Sequence, residues 1–90
     1  MKRYHVLISG SVQGIFFRQF IAEKAYSLDI KGFVRNLPNG KVEAVFEGKE
    51  EALKEILKEC KKGPPNANLS NIKIEEQPYK KEFADFKIIR

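Results

Sequence analysis

Two amphipathic helices laid across one face of a mostly antiparallel sheet form the α+β arrangement expected of this chain, and three observations carry that expectation. Apolar residues alternate with period two in several short segments, recur at helical spacing in two longer ones, and are separated by glycine- and proline-containing turns. Tyr4, Val6 and Ile8 share one face of a first strand. Phe17, Phe20, Ile21, Ala25 and Leu28 then fall on one side of a helix that leaves Glu23 and Lys24 outward. Residues 32–37 and 41–47 read as two strands joined at Pro38-Asn39-Gly40, where Asn-Gly tolerates the positive φ of a tight hairpin, with Val42, Ala44 and Phe46 turned inward. Leu53, Ile56, Leu57 and Cys60 make the apolar stripe of a second helix, which Gly63-Pro64-Pro65 ends. Ile72 and Ile74 alternate with Lys73 and Glu75 in a fourth strand, and residues 83–89 suggest a short closing strand. The order is therefore β-α-β-β-α-β with an extra C-terminal strand, which points to a ferredoxin-like sandwich. In that topology the first two strands run parallel, so the loop after the first and Asn36 near the end of the second meet at one edge of the sheet.

Ninety residues with 42% hydrophobic content suit one domain, 1–90, with a single core. The lone Cys60 cannot form an internal disulfide and is expected in the core; one cysteine and one histidine do not make a zinc site. No metal or cofactor is expected. The basic start at Lys2-Arg3 is not followed by the long apolar run of a signal peptide, and no segment could span a membrane. The expectation is a cytoplasmic monomer. A net charge of +5 calls for an anionic partner, either a small phosphorylated molecule or a nucleic acid. Most lysines, such as Lys61-Lys62 and Lys80-Lys81, belong to solvated faces diluted by Glu59 and Glu82.

The chemistry concentrates in Gly10-Ser11-Val12-Gln13-Gly14-Ile15-Phe16-Phe17-Arg18, between the first strand and the first helix. A helix N-terminus carries unpartnered N–H groups and partial positive charge, and glycines let neighbouring amides converge on one oxyanion. Arg18 adds a planar fork suited to phosphate oxygens. On spacing alone an ordinary turn followed by a solvated arginine is the better reading, because short glycine motifs match by chance. The loop is neither a P-loop nor a dinucleotide fingerprint, so nucleotide binding is not indicated.

Taken together, that loop, Gly32-Phe33-Val34-Arg35-Asn36, Asn39-Gly40-Lys41-Val42-Glu43, Gly63-Pro64-Pro65 and Phe86-Lys87-Ile88 resemble the signature blocks of the acylphosphatases over nearly the whole chain. The combination is far more specific than the loop and reverses the reading of it. The resemblance implies metal-independent hydrolysis of acyl phosphates to a carboxylate and inorganic phosphate, the latter both product and inhibitor. It implies that Arg18 and the main-chain amides of Ser11, Val12, Gln13, Gly14, Ile15, Phe16 and Phe17 hold the phosphoryl group, and that Asn36 positions the attacking water. Two positions depart from the family pattern: Ser11 stands where a basic residue is frequent, and Asp29 where a glycine commonly ends the first helix.

So sparse a site is chemically sufficient. Phosphoryl transfer asks mainly for positioning and for charge stabilisation on the equatorial oxygens, and a carboxylate leaving group needs no strong acid. With no carboxylate or histidine evident as base, a substrate phosphate oxygen is the expected proton acceptor, Asn36 only orienting the water. His5 reads as a strand or surface residue; Ser9 and Ser11 lack an activating neighbour; Arg35 should point away from Asn36, since strand neighbours alternate. An RNA-recognition domain shares the element order, and Lys31-Gly32-Phe33-Val34 echoes its aromatic signature, but in strand two; the third strand, Val42-Glu43-Ala44-Val45-Phe46, lacks the exposed aromatic pair. A silent binding domain of the same family is argued against by the presence of both Arg18 and Asn36.

Overall fold

The computed structural model describes residues 1–14 and 16–89. Each apolar pattern becomes the element whose period it matches: β1 (Lys2–Ser11), α1 (Phe17–Ser27), β2 (Lys31–Asn36), β3 (Val42–Gly48), α2 (Glu50–Lys62), β4 (Asn68–Gln77) and β5 (Phe86–Ile89). Val6 and Ile8 of β1, Val34 of β2, and Val42, Ala44 and Phe46 of β3 are fully buried beneath the helices. Phe17, Ile21 and Ala25 from α1, and Leu53, Ile56 and Cys60 from α2, complete this core. Burial pushes the Cys60 thiol up to about 12, with the nearby Glu59 carboxylate adding to it, so this thiol behaves as a small apolar side chain.

The sheet order is β4-β1-β3-β2-β5. β1 pairs antiparallel with β3 and β4, β2 antiparallel with β3, and β5 parallel with β2. Since β1 and β2 both oppose β3, they run the same way and deliver their C-terminal ends to one edge, as the element order predicts. This is the ferredoxin-like sandwich, with β5 as the extra strand on the β2 side. The closing strand is shorter than expected. It starts at Phe86, whose ring stacks on Phe46 at 5.7 Å between centroids.

The hairpin differs from the expected Asn-Gly turn. Gly40 donates to the Leu37 carbonyl at 3.1 Å, and Leu37 N–H donates to the Lys41 carbonyl at 2.8 Å, so Pro38 and Asn39 occupy the turn centre and Gly40 follows it. Gly40 takes φ 90 while Asn39 stays out of the positive region; the Asn39 side chain instead accepts from Lys41 N–H at 3.0 Å. Proline at the first central position favours this three-residue loop over the two-residue one.

The helix-free face of the sheet is polar. Glu47, 2% exposed, accepts from the backbone N–H groups of Lys80 and Glu82 at 3.0 Å each and from Arg3 Nη1 at 3.2 Å. Burial would push the Glu47 carboxyl up, but those three donors outweigh it and hold it below the ordinary carboxylate range.

Candidate active site

Gly10 is required by crowding, a reason the sequence does not show. The register of β1 against β4 shifts between Ser9 and Gly10, and a Cβ on Gly10 (φ +127) would lie 2.2 Å from the Asn68 carbonyl oxygen. The glycine is thus a bulge that bends the end of β1, with Ser11 still paired opposite Asn68 before the chain departs. Gly14 has the opposite reason: its Cβ would meet nothing within 4 Å, but its φ of +74 is left-handed. Phe16, at φ 63 and ψ 23, is left-handed too and starts α1 with no side-chain cap. A non-glycine residue there costs about 1–2 kcal/mol.

The first hydrogen bond of α1 runs from Phe20 N–H to the Phe16 carbonyl at 2.9 Å. The N–H groups of Phe17, Arg18 and Gln19 therefore precede the helical ladder, and no acidic residue in the first turn competes for them. They face an anion-sized need at the positive end of the helix. A cleft of about 280 Å³ opens here, lined by Gly14, Phe16, Phe17 and Arg18 from the loop and helix start, Asn36 from β2 and Ile88 from β5, with Val12 and Gln19 at its margins.

Arg18 is half-buried, and its Nη1 makes one long hydrogen bond, 3.4 Å, to the Ile89 carbonyl. Among the described residues it forms no ion pair. Asn36 lies on the helix-side face of β2, opposite Val42. Its Oδ1 is buried and has no hydrogen-bond partner among the described residues. Leaving such an acceptor unpaired costs about 1–3 kcal/mol, a cost that is characteristic of polar groups kept for a ligand.

The structure thus brings Arg18, Asn36, Val12, Gly14, Phe16 and Phe17 to one cleft. Ser11 ends β1, and Ile15 lies outside the described residues. Gln13 has a role that its backbone does not convey: its Nε2 donates to the carbonyls of Leu37 and Lys41, both at 2.9 Å, and so pins the loop to the neck of the β2–β3 hairpin. The amides of Arg18 and Gln19 and the Ile88 wall were also not foreseen; helix capping rules could have supplied the amides, whereas nothing local marks Ile88. Arg35 and His5 lie on the opposite face, where both hold Glu43, at 2.5 Å from Arg35 Nε and 2.7 Å from His5 Nε2. Burial would raise the Glu43 carboxyl, but His5 and Arg35 outweigh it and lower it. As expected from strand alternation, neither residue reaches the cleft.

A family model described as Acylphosphatase matches residues 4–88. The chain belongs to the acylphosphatase family. This acylphosphatase is 44% identical over 89 residues to an acylphosphatase of Syntrophus aciditrophicus, covering 99% of this chain and 93% of that one. It is 48% identical over 90 residues to an acylphosphatase of Pyrobaculum aerophilum, covering 99% and 95% of the two chains. The crystal structure of acylphosphatase from Bacillus subtilis superposes with a TM-score of 0.95 at 31% identity, over 100% of both chains. The substrate of an acylphosphatase is an acyl phosphate, and the cleft at the start of α1 holds the Arg18 guanidinium beside helix-start amides that precede the helical ladder.

Proposed function

We propose that this cleft hydrolyses acyl phosphates without a metal, and that the residues named above divide the work. The observation that supports this reading best is the meeting of three things in one cleft: unpartnered helix-start amides, the Arg18 guanidinium free of any carboxylate among the described residues, and the unpaired Asn36 carboxamide. The phosphoryl group sits on the amides of the loop and the first turn of α1, while Arg18 grips two of its oxygens and offsets charge that grows on them in the transition state. Water held by the Asn36 carboxamide attacks phosphorus from the β2 side. Its oxygen forms the new P–O bond as the acyl P–O bond breaks, and that electron pair leaves on the carboxylate, already stable at neutral pH. The water proton passes to a phosphate oxygen of the substrate itself.

Phosphate charge is handled here by donors of the chain: among the described residues no group of three His, Cys, Asp or Glu side chains could hold a metal ion. In this proposal the enzyme acts as a monomer, a single domain over 1–90. No helix among the described residues is long and apolar enough to cross a membrane, and Cys60 is a free, buried thiol; both suit a cytoplasmic enzyme. Nucleic acid fits poorly, because the segment from Lys80 to Phe83 lies across Glu47 of β3 and Phe33 of β2 on the helix-free face, where an RNA-recognition sheet stacks bases. The test is hydrolysis of an acyl phosphate by purified protein with and without chelator. Unchanged turnover in chelator is expected; loss of turnover that magnesium restores overturns the metal-free mechanism.

A further inference from the structure

A second groove, of about 410 Å³, adjoins the phosphate cleft and is lined by Phe16, Gln19, Phe20, Glu23 and Pro64. We propose that it receives the acyl group of the substrate and selects neutral, apolar acyl phosphates over those that carry a second anionic group; this rests on the reading of the cleft given above. Phe16 and Gln19 line both hollows, so a molecule whose phosphoryl group occupies the first extends into the second without leaving the surface. The direction is the one the reaction needs. In-line displacement puts the attacking and leaving oxygens on opposite sides of phosphorus. Asn36, proposed to hold the water, lines the cleft and not the groove, which leaves the groove free to take the departing carboxylate.

The chemistry of the groove defines the class of acyl group. Phe16 is 80% exposed, a large apolar side chain held out at the left-handed residue that starts α1. Phe20 and Pro64 continue the apolar surface, and an aromatic or branched acyl group would cover all three. Among the described residues the one charge lining the groove is the Glu23 carboxylate, which Gln19 Nε2 reaches at 3.4 Å. Lys24 lies 5.7 Å above the Phe20 ring but is 3.6 Å from Glu59, which offsets its charge, and the Arg18 guanidinium of the adjoining cleft is taken up by the phosphoryl group in the proposed pose. A second carboxylate on the acyl group would therefore meet Glu23 with little compensation.

The experiment compares kcat and KM for benzoyl, acetyl, butyryl and succinyl phosphate in the wild type, Phe20→Ala and Glu23→Lys. Phe20→Ala is expected to raise KM for benzoyl phosphate more than for acetyl phosphate, shifting their ratio by roughly fivefold, with kcat moving less. Glu23→Lys is expected to raise kcat/KM for succinyl phosphate relative to butyryl phosphate by roughly three- to fivefold at low ionic strength, an effect that salt suppresses. Phe20 packs against Phe17, with centroids 6.3 Å apart, and its truncation can cost folding; Glu23 is exposed, so its variant decides in that case. Substrate ratios unchanged in the folded variants overturn the acyl groove. Phosphate inhibition is read in parallel on Arg18→Ala: if it persists at wild-type strength, the failure is that of the phosphate cleft instead.

Discussion

At the scale of single residues, the proposal assigns binding to Arg18 and water positioning to Asn36, and substitution separates the two. Arg18→Ala should weaken competitive inhibition by inorganic phosphate and remove most activity, and Arg18→Lys should restore little, because one ammonium does not reproduce a bidentate fork. Inhibition constants and turnover on the folded variants check this; undiminished phosphate inhibition places the anion elsewhere. Asn36→Ala should retain phosphate inhibition but lose turnover by on the order of 10²- to 10³-fold, the usual loss for one positioned polar group in a transition state. Asn36→Asp brings a negative charge toward the phosphoryl group, so affinity should fall along with rate. If Asn36 only anchored the strand end, the thermal midpoint would drop while activity per folded molecule held. Both residues stood out in the sequence only through the resemblance of several blocks together, since the glycine turn alone favoured a solvated arginine and element order alone brought Asn36 beside it. The anchoring side chain of Gln13 did not, because its acceptors, Leu37 and Lys41, are distant in sequence.

At the scale of elements, the site is made by how β1 ends and α1 begins. The Gly10 bulge turns the chain away from β4, and left-handed Gly14 and Phe16 bring it into the helix with its first amides unpaired. The far end of α1 carries a smaller strain. Asp29 adopts φ 56 just beyond the helix, the conformation that glycine reaches more readily, as the sequence led one to expect. Its ion pair with Lys31, at 3.0 Å, is exposed and contributes little. Asp29→Gly should therefore raise stability by about 0.5–1 kcal/mol with turnover unchanged, since the position is remote from the cleft. Chemical denaturation beside a turnover assay checks both halves. A loss of stability would show that the Lys31 pair, or the lower entropy of the unfolded Asp29 chain, outweighs the backbone strain.

Across the whole molecule, the helix-free face ties the two ends of the chain together. Arg3 in β1 reaches Glu47 in β3 and Glu82 in the segment before β5, where Phe83 meets Phe33 edge to face and lies 5.4 Å from the Arg3 guanidinium. Because Glu47 is held below its ordinary value near 4.5, the folded state binds fewer protons there than the unfolded one. Its contribution is fully present above the unfolded pKa and is lost as pH falls through the lowered folded pKa. Glu43 acts in the same direction. Glu47→Gln should cost roughly 2 kcal/mol at neutral pH, as expected for hydrogen bonds to a buried charge. The deficit should shrink as pH falls below the ordinary carboxylate range and the native carboxyl itself becomes protonated. Thermal midpoints of both proteins across that range are the measurement; parallel curves would show that the charge of Glu47 contributes nothing.

Much of the fold was settled by local rules. Alternation of Val6 and Ile8, the helical stripes through Ile21 and Ile56, and the turn residues around Gly40 and Gly63 act within a few positions of one another, so the sequence displays them directly. The common direction of β1 and β2, which brings Asn36 to the loop, follows from element order by the handedness of connections. Only the tertiary structure decided the rest. The crowding that demands Gly10, the Gln13 anchor, the unpaired Asn36 oxygen, the wall from Ile88, the groove reaching Pro64 and the Arg3–Glu47 pair all depend on atoms brought together from distant parts of the chain. Periodicity states which face a residue takes; it does not state what stands opposite, and hydrogen bonding and crowding depend on that.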